Sequence, residues 1–336
     1  MADDIVRIGV VGAGKIVRDR HVPGFRALDG VRLESVANRN RESGERAASE
    51  LGFARVHAHW SDVVADPGVE AVVVGTWPYL HAPVATAALE AGKHVLIQAR
   101  LAMDAAEARA IQAAAQRHPG LVTMVVPAPF TFWADACVRR LLADGTIGDL
   151  HLVRSFWNGG DGAVHGGPGW RRDRRYSGNN ALQLGIAYEQ LARWVGHAQW
   201  VQAAEEIIDP HGEYGPADIP DLISVLAELP GRARLNLELT PHARFAGNNE
   251  VYLFGSEGTL IVDITGQQIL LRSEGHEEKV SPRPDEHGDW QVEAEFIGAI
   301  RGANEVRLND VATAVRYMEF TDAVRRSAAE GRRVVV

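Results

Sequence analysis

The chain has 336 residues, 46% hydrophobic and 24% charged, enough for two globular domains with sizeable cores. Its net charge of −9 gives no support to nucleic-acid binding or an anionic membrane surface, and no segment reaches the roughly 18 uninterrupted apolar residues of a membrane helix. The single cysteine, Cys137, excludes an intrachain disulfide and reads as a packed helix residue; the opening MADDIVRIGV lacks a leader pattern, so a cytoplasmic location is expected.

The first informative stretch is Ile8 to Val17, IGVVGAGKIV. An apolar run ending in Gly12, Ala13 and Gly14, with a helical pattern straight after, describes a buried strand turning tightly into a helix. Such a turn aims backbone N–H groups and a positive helix end at one spot, which suits a pyrophosphate. Gly12 permits the turn and Gly14 a close approach of phosphate oxygens, while Val17 holds the third glycine position of the dinucleotide fingerprint. Glycines so spaced also serve ordinary strand-to-helix turns; the position at the head of a βαβ pattern favours the nucleotide.

The pattern continues with a helix over Arg18 to Leu28, interrupted by Pro23, and a strand over Val31 to Ala37. A helix over Glu42 to Leu51 precedes the continuous apolar run Val69 to Gly75, the mark of a strand buried on both faces. Helices over Ala82 to Ala91 and Asp104 to Arg117 alternate with strands over His94 to Ile97 and Leu121 to Val126. Alternation of this kind predicts a doubly wound parallel sheet over residues 1–126, with ligands outside the carboxyl ends of its strands. At the end of the second strand, Asn38 is neutral and Arg39 can grip a phosphate with its planar fork, so NADP(H) is favoured over NAD(H). The alternative is a solvated loop arginine. His57 and His59 lack Cys or carboxylate neighbours in sequence and read as no metal site.

From about Phe130 the texture changes. A helix over Ala134 to Asp144 leads through Gly145 to Gly148 into a strand over Leu150 to Trp157, a glycine-rich loop, the basic run Arg171 to Arg175, and a helix over Ala181 to Val195. Strands over Trp200 to Glu206, Leu222 to Leu229, Ala233 to Leu239, Glu250 to Phe254, Thr259 to Ile264 and Gln268 to Leu271 then follow without helices between them. They predict a second domain, 127–336, of α+β type with a large open, mainly antiparallel sheet, closed by a helix over Asp310 to Glu330 that can pack back on the first domain.

IGVVGAGKI, Trp77 to Leu96 (WPYLHAPVATAALEAGKHVL), GTIGDL, Ser177 to Gly196, FGSEGTLIVD and RRSAAEGRRVVV together resemble the glucose–fructose oxidoreductase / inositol dehydrogenase (Gfo/Idh/MocA) family over nearly the whole chain. The resemblance implies a Rossmann domain joined to an open-sheet domain, redox chemistry on a sugar, cyclitol or related carbonyl with nicotinamide, and a homodimer or homotetramer packed through the sheet. It makes Gly12, Gly14, Lys15, Ile16, Asn38, Arg39, Trp77, His81 and Gln98 the expected nucleotide-binding residues. The family's Glu-Lys-Pro triplet reads Gln98-Ala99-Arg100 here, and its Asp and His four apart on a helix read Gln183 and Ala187. The usual lysine and histidine are therefore absent, and with them the roughly 10²–10⁴-fold that a positioned acid or base supplies.

The candidates for the vacant roles are Arg100, Gln98, Gln183, Tyr188 and His165, with Glu189 and Asn180 beside them. Arg100 either polarises a carbonyl, holds a carboxylate or pairs with an acidic neighbour; it is a poor proton donor. Tyr188 either donates a proton or packs as a core aromatic, and His165 either closes over substrate in its glycine-rich loop or is solvated there. Trp170 with Arg171 can stack on and grip a sugar or anion. The expected function is an NAD(P)-dependent oxidoreductase acting on a sugar, glycoside or cyclitol derivative. The alternatives are a nucleotide-retaining lyase, epimerase or hydrolase that oxidises its substrate transiently, and a catalytically inactive nucleotide-binding sensor.

Overall fold

The protein, a computed structural model, is described for residues 5–158, 169–181 and 183–336. His165 and Leu182 lie outside the described residues. The chain divides into two units, 1–127 with 291–318, and 128–290 with 319–336. Residues 291–318 thus belong to the first unit, whereas a single cut at residue 126 assigns them to the second.

In the first unit, strands β1 (Val6–Val11), β2 (Val31–Ala37), β3 (Arg55–His57), β4 (Ala71–Val74), β5 (His94–Ile97) and β6 (Thr123–Val125) form a parallel sheet in the order β3-β2-β1-β4-β5-β6. Every residue of β4 is buried, as a strand covered on both faces requires. The helices are α1 (Val22–Arg26), α2 (Arg41–Leu51), α3 (Trp60–Ala65), α4 (His81–Glu90) and α5 (Ala105–Arg117). Asn40 and Asp104 cap α2 and α5 by accepting from Ser43 N–H at 2.9 Å and Glu107 N–H at 2.8 Å, and Gly52 ends α2 at φ 63°.

The helix expected over 18–28 is instead a π-helical turn, Val17–His21, running into α1, where Pro23 occupies the first turn. The elements β3 and α3, with three and six residues, are too short to show a period in sequence. The returning segment supplies the helix Val292–Ile300, which packs on α1, and Asn309, whose carbonyl accepts from Val125 N–H at 3.0 Å on the β6 edge.

The second unit holds α6 (Phe132–Ala143), β7 (Leu150–Asn158), α7 (Arg174–Ser177) and α8 (Leu184–Val195). Strands β8 (Trp200–Glu206), β9 (Leu222–Glu228), β10 (Arg234–Thr240), β11 (Glu250–Gly255), β12 (Thr259–Asp263), β13 (Gln268–Ser273), β14 (His276–Val280) and β15 (Val334–Val335) follow. With β7 they make a nine-stranded sheet, β14-β13-β12-β11-β7-β10-β9-β8-β15, antiparallel at every junction except the parallel pair β7 and β10. Alternation decides its faces: Leu235, Leu237 and Leu239 of β10 are buried, while Asn236 and Glu238 point outward. Cys137 of α6 is fully buried. Among the described residues no helix is long and apolar enough to cross a membrane.

Candidate nucleotide and catalytic site

The strand order of the first unit reverses between β1 and β4, whose carboxyl ends lie side by side in parallel. Gly12 sits at φ 88°, and a Cβ on it would lie 2.8 Å from Thr76 Cγ2 and 2.9 Å from the Gly75 carbonyl carbon. A Cβ on Gly75 would lie 2.4 Å from the Gly12 carbonyl oxygen. Both glycines are therefore required by contact, and beside them opens a cavity of about 460 Å³. Gly12, Ala13 and Gly14 form its floor. Asn38, Arg39, Ser43, His59 and Trp60 wall the end nearest β2, and Thr76, Trp77, Tyr79 and Leu80 the end beyond β4. A glycine cradle at a topological switch point fits a dinucleotide laid across the strand ends.

Asn38 lines this cavity, but its carboxamide is committed: Oδ1 accepts from Ala13 N–H at 2.7 Å and Nδ2 donates to the Ser43 carbonyl at 2.9 Å. It braces the glycine turn against α2. Arg39 is exposed and makes no hydrogen bond or ion pair with another described residue. Lys15 pairs with Asp19, Ile16 is 45% exposed, and neither belongs to the cavity wall. His81 is likewise absent from the wall. It is fully buried, with Nε2 2.9 Å from the Thr76 carbonyl and Nδ1 2.9 Å from that of Arg100, so it ties the exits of β4 and β5 together. Burial pushes its pKa below the ordinary value.

Sequence reasoning missed Ser43, His59, Trp60, Thr76, Tyr79 and Leu80. His59 caps α3, its Nδ1 accepting from Ser61 N–H at 3.3 Å, and its ring lies 5.3 Å from that of Trp60. The available signal was the run HAHW beside a strand end, which reads as unremarkable until β3 is recognised.

Beyond β5 the chain reads Gln98-Ala99-Arg100, with a cis peptide between Ala99 and Arg100. The Gln98 N–H donates to the Val74 carbonyl at 3.0 Å, which sets the backbone of residue 98 beside the end of β4, and Gln98 is not part of the cavity wall. Its carboxamide bonds Nε2 of His21, whose Nδ1 bonds the Glu293 carboxylate. His21 and Glu293 are buried at 0% and 3% exposure. Arg100, read from sequence as a cation for a substrate carbonyl or carboxylate or as the partner of an acidic neighbour, is 3% exposed and lies outside the cavity wall.

In the second unit, Gln183 stands half-buried at the N-cap of α8, with Ala187 buried one turn on. Tyr188 is fully buried: its ring stacks on Phe320 at 3.5 Å, and its hydroxyl accepts from Ala198 N–H at 2.8 Å. It is a core pillar rather than a proton donor to substrate. Glu189 is buried too, accepting from Ala128 N–H at 2.9 Å and from Arg193 at 3.0 Å, while Arg193 also pairs with Asp135 at 2.9 Å. Two carboxylates sharing one cation out of water hold their protons tightly, and burial outweighs the arginine to push Glu189 up to about 7. Asn180 turns inward to donate to the Ser177 carbonyl at 2.7 Å. The Arg171 guanidinium lies over the Trp170 ring at 4.4 Å, whereas Arg172 and Arg175 pair with Asp221 and Asp173.

Comparison with known proteins bears on both units. Residues 6–125 match the family described as oxidoreductases with an NAD-binding Rossmann fold, and residues 136–261 match the GFO/IDH/MocA C-terminal domain. The chain is 30% identical to dTDP-3,4-didehydro-2,6-dideoxy-alpha-D-glucose 3-reductase of Streptomyces violaceoruber, over 96% of this chain and 95% of that one. It is 29% identical to inositol 2-dehydrogenase of Acidiphilium cryptum, over 75% of this chain and 72% of the relative. Its fold is similar to that of levoglucosan dehydrogenase in complex with NADH and levoglucosan, with a TM-score of 0.85 and 22% identity over 99% of this chain and 100% of the other.

Proposed function

Since the chain belongs to the Gfo/Idh/MocA family of NAD(P)-dependent oxidoreductases, we propose that it transfers hydride between NADP(H) and a sugar, glycoside or cyclitol derivative through a site that lacks the usual proton donors. The observation that carries the reading is the glycine-walled cavity with the uncommitted guanidinium of Arg39 at its β2 end. An acidic residue there would repel a 2′-phosphate; Asn38 is neutral and already used, so Arg39 meets the phosphate unopposed. A bound nicotinamide supplies or receives the hydride. The chain's own residues seat the nucleotide: Gly12 and Gly14 under the pyrophosphate, Arg39 at the adenosine end, and Trp77 and Gln98 on the nicotinamide half.

The substrate class rests on the relatives, which are named as sugar and cyclitol oxidoreductases. With Ala99 and Ala187 in the lysine and histidine positions, orientation against the nicotinamide carries more of the rate than proton transfer does. Assembly through the outer face of the large sheet is part of the same reading. A broad groove crosses that face, lined by Leu152, Arg154, Phe156, Leu226 and Phe254, and Leu226 is 39% exposed.

The test is titration with NADPH and NADH, with mass spectrometry of any nucleotide that copurifies. Tighter NADPH binding is expected, and Arg39→Ala weakens NADPH about 10-fold or more while leaving NADH within about twofold, the loss of a charge-assisted phosphate contact. Equal affinity of the native chain for both nucleotides sinks the NADP preference. Nucleotide binding without redox turnover on any polyol or ketose favours a sensor, and a copurifying nucleotide that is never consumed favours transient oxidation.

A further inference from the structure

Three buried groups from separate stretches of the first unit form an unbroken chain: Glu293 on the returning helix, His21 at the end of the π-helical turn, and Gln98 at the exit of β5. The contact is built for, because a Cβ on Gly24 would lie 2.5 Å from Glu293 Oε2, so the carboxylate reaches His21 only over a glycine. Turns of π type recur at functional sites. Seating the nucleotide uses Gln98 but neither His21 nor Glu293, so the two buried titratable groups behind it are without a role.

The polarity of the chain follows from what each group can do. A carboxylate only accepts, so Nδ1 of His21 is the donor to Glu293, and with the Gln98 amide nitrogen set against Nε2 the arrangement is that of a neutral imidazole with its lone pair on Nε2. That lone pair needs a donor, and Gln98 supplies it with its NH₂. The Gln98 carbonyl oxygen is then the remaining group, and no described residue donates to it. We propose that Glu293 and His21 are positioning residues that lock the Gln98 carboxamide with its NH₂ inward, so that its carbonyl oxygen accepts a hydrogen bond from the carboxamide NH₂ of a bound nicotinamide. Gln98 thus orients the ring and does not polarise a substrate carbonyl, for which a donor is needed. The assignment rests on the nucleotide reading for its ligand, while the buried chain itself exists without one.

Two measurements separate those layers. Long-range ¹H–¹⁵N spectra of histidine-labelled protein, with His21 identified by the signal lost in His21→Phe, are expected to show one protonated nitrogen, Nδ1, and one lone-pair nitrogen, Nε2. A His21 protonated on Nε2, alone or on both nitrogens, overturns the proposal. In Gln98→Glu the facing group only accepts, and His21 is expected to become protonated on both nitrogens; an unchanged pattern also counts against it. The second measurement compares NADP⁺ with its 3-acetylpyridine analogue, which replaces the carboxamide NH₂ by a methyl group. The native protein is expected to bind NADP⁺ about 5- to 10-fold more tightly, one hydrogen bond's worth. Gln98→Leu and His21→Phe are expected to bring the two within about twofold, with affinity for 2′,5′-ADP, which has no nicotinamide, kept as the measure of an intact fold. Native discrimination that survives Gln98→Leu overturns the ligand assignment even where the spectra support the chain. If no nucleotide binds at all, the nucleotide reading fails and the spectra still decide the relay.

Discussion

Gly12 and Tyr188 illustrate how single side chains, present or absent, divide the work. At φ 88° and with Gly75 and Thr76 against the missing Cβ, Gly12 has no tolerated replacement. Gly12→Ala is expected to cost about 2–4 kcal/mol of stability, combining left-handed strain with overpacking, and to abolish nucleotide binding, read by denaturant unfolding and titration. Tyr188 gives the opposite separation. Its hydroxyl holds Ala198 N–H inside the core, so Tyr188→Phe is expected to lose about 1–3 kcal/mol while leaving kcat within about twofold. A large fall in kcat with native stability would return Tyr188 to the reacting groups.

At the scale of elements, α6 and α8 are joined through Arg193, Glu189 and Asp135, and the pair of acids sets a pH dependence. Glu189 holds its proton up to about pH 7 in the folded chain, against an ordinary value of 4.5. The folded state therefore binds more protons than the unfolded state between those values, and stability falls as pH rises through that window, by up to about 1.4 kcal/mol per pH unit. Glu189→Gln keeps an acceptor for Ala128 N–H and removes the titration, so its unfolding midpoint is expected to be flatter between pH 5 and 7, as urea melts at several pH values will show. An unchanged slope would place the titrating group elsewhere. Other elements differ in how openly the sequence shows them. The strand over Trp200–Glu206 and its neighbours could be read because one face of each is buried and alternation records it. The strand β3 and helix α3 carry too few residues for a period, yet they bring His59 and Trp60 to the cavity.

For the molecule as a whole, the order of domains is legible in sequence because a buried parallel sheet and a half-exposed mixed sheet differ in composition residue by residue. The discontinuity of the first unit is not. Nothing local marks residues 291–318 as belonging with the N-terminal sheet, since their partners, α1, His21 and Asn309's neighbour Val125, are hundreds of positions away. Asn38 reads in sequence as a nucleotide-binding residue, whereas its bonds to Ala13, 25 positions back, and to Ser43 are spent on the turn. A fragment ending at residue 127 is expected to melt well below the intact protein's first unit, and fusing residues 291–318 to it should recover most of the difference by circular dichroism. Independent folding of the shorter fragment would show the returning helix to be an accessory.

The lone thiol offers a clock for motion. Cys137 is fully buried on α6, and burial also raises its pKa, so it is shielded from solvent and held as the less nucleophilic thiol. With no second cysteine in the chain, the labelling rate of intact protein by a thiol reagent reports a single position. At low reagent that rate measures the equilibrium population of molecules whose second unit has opened, and at high reagent it approaches the opening rate itself. Repeating the measurement with nucleotide present would tell whether a ligand seated on the glycine turn of one unit slows the breathing of the other.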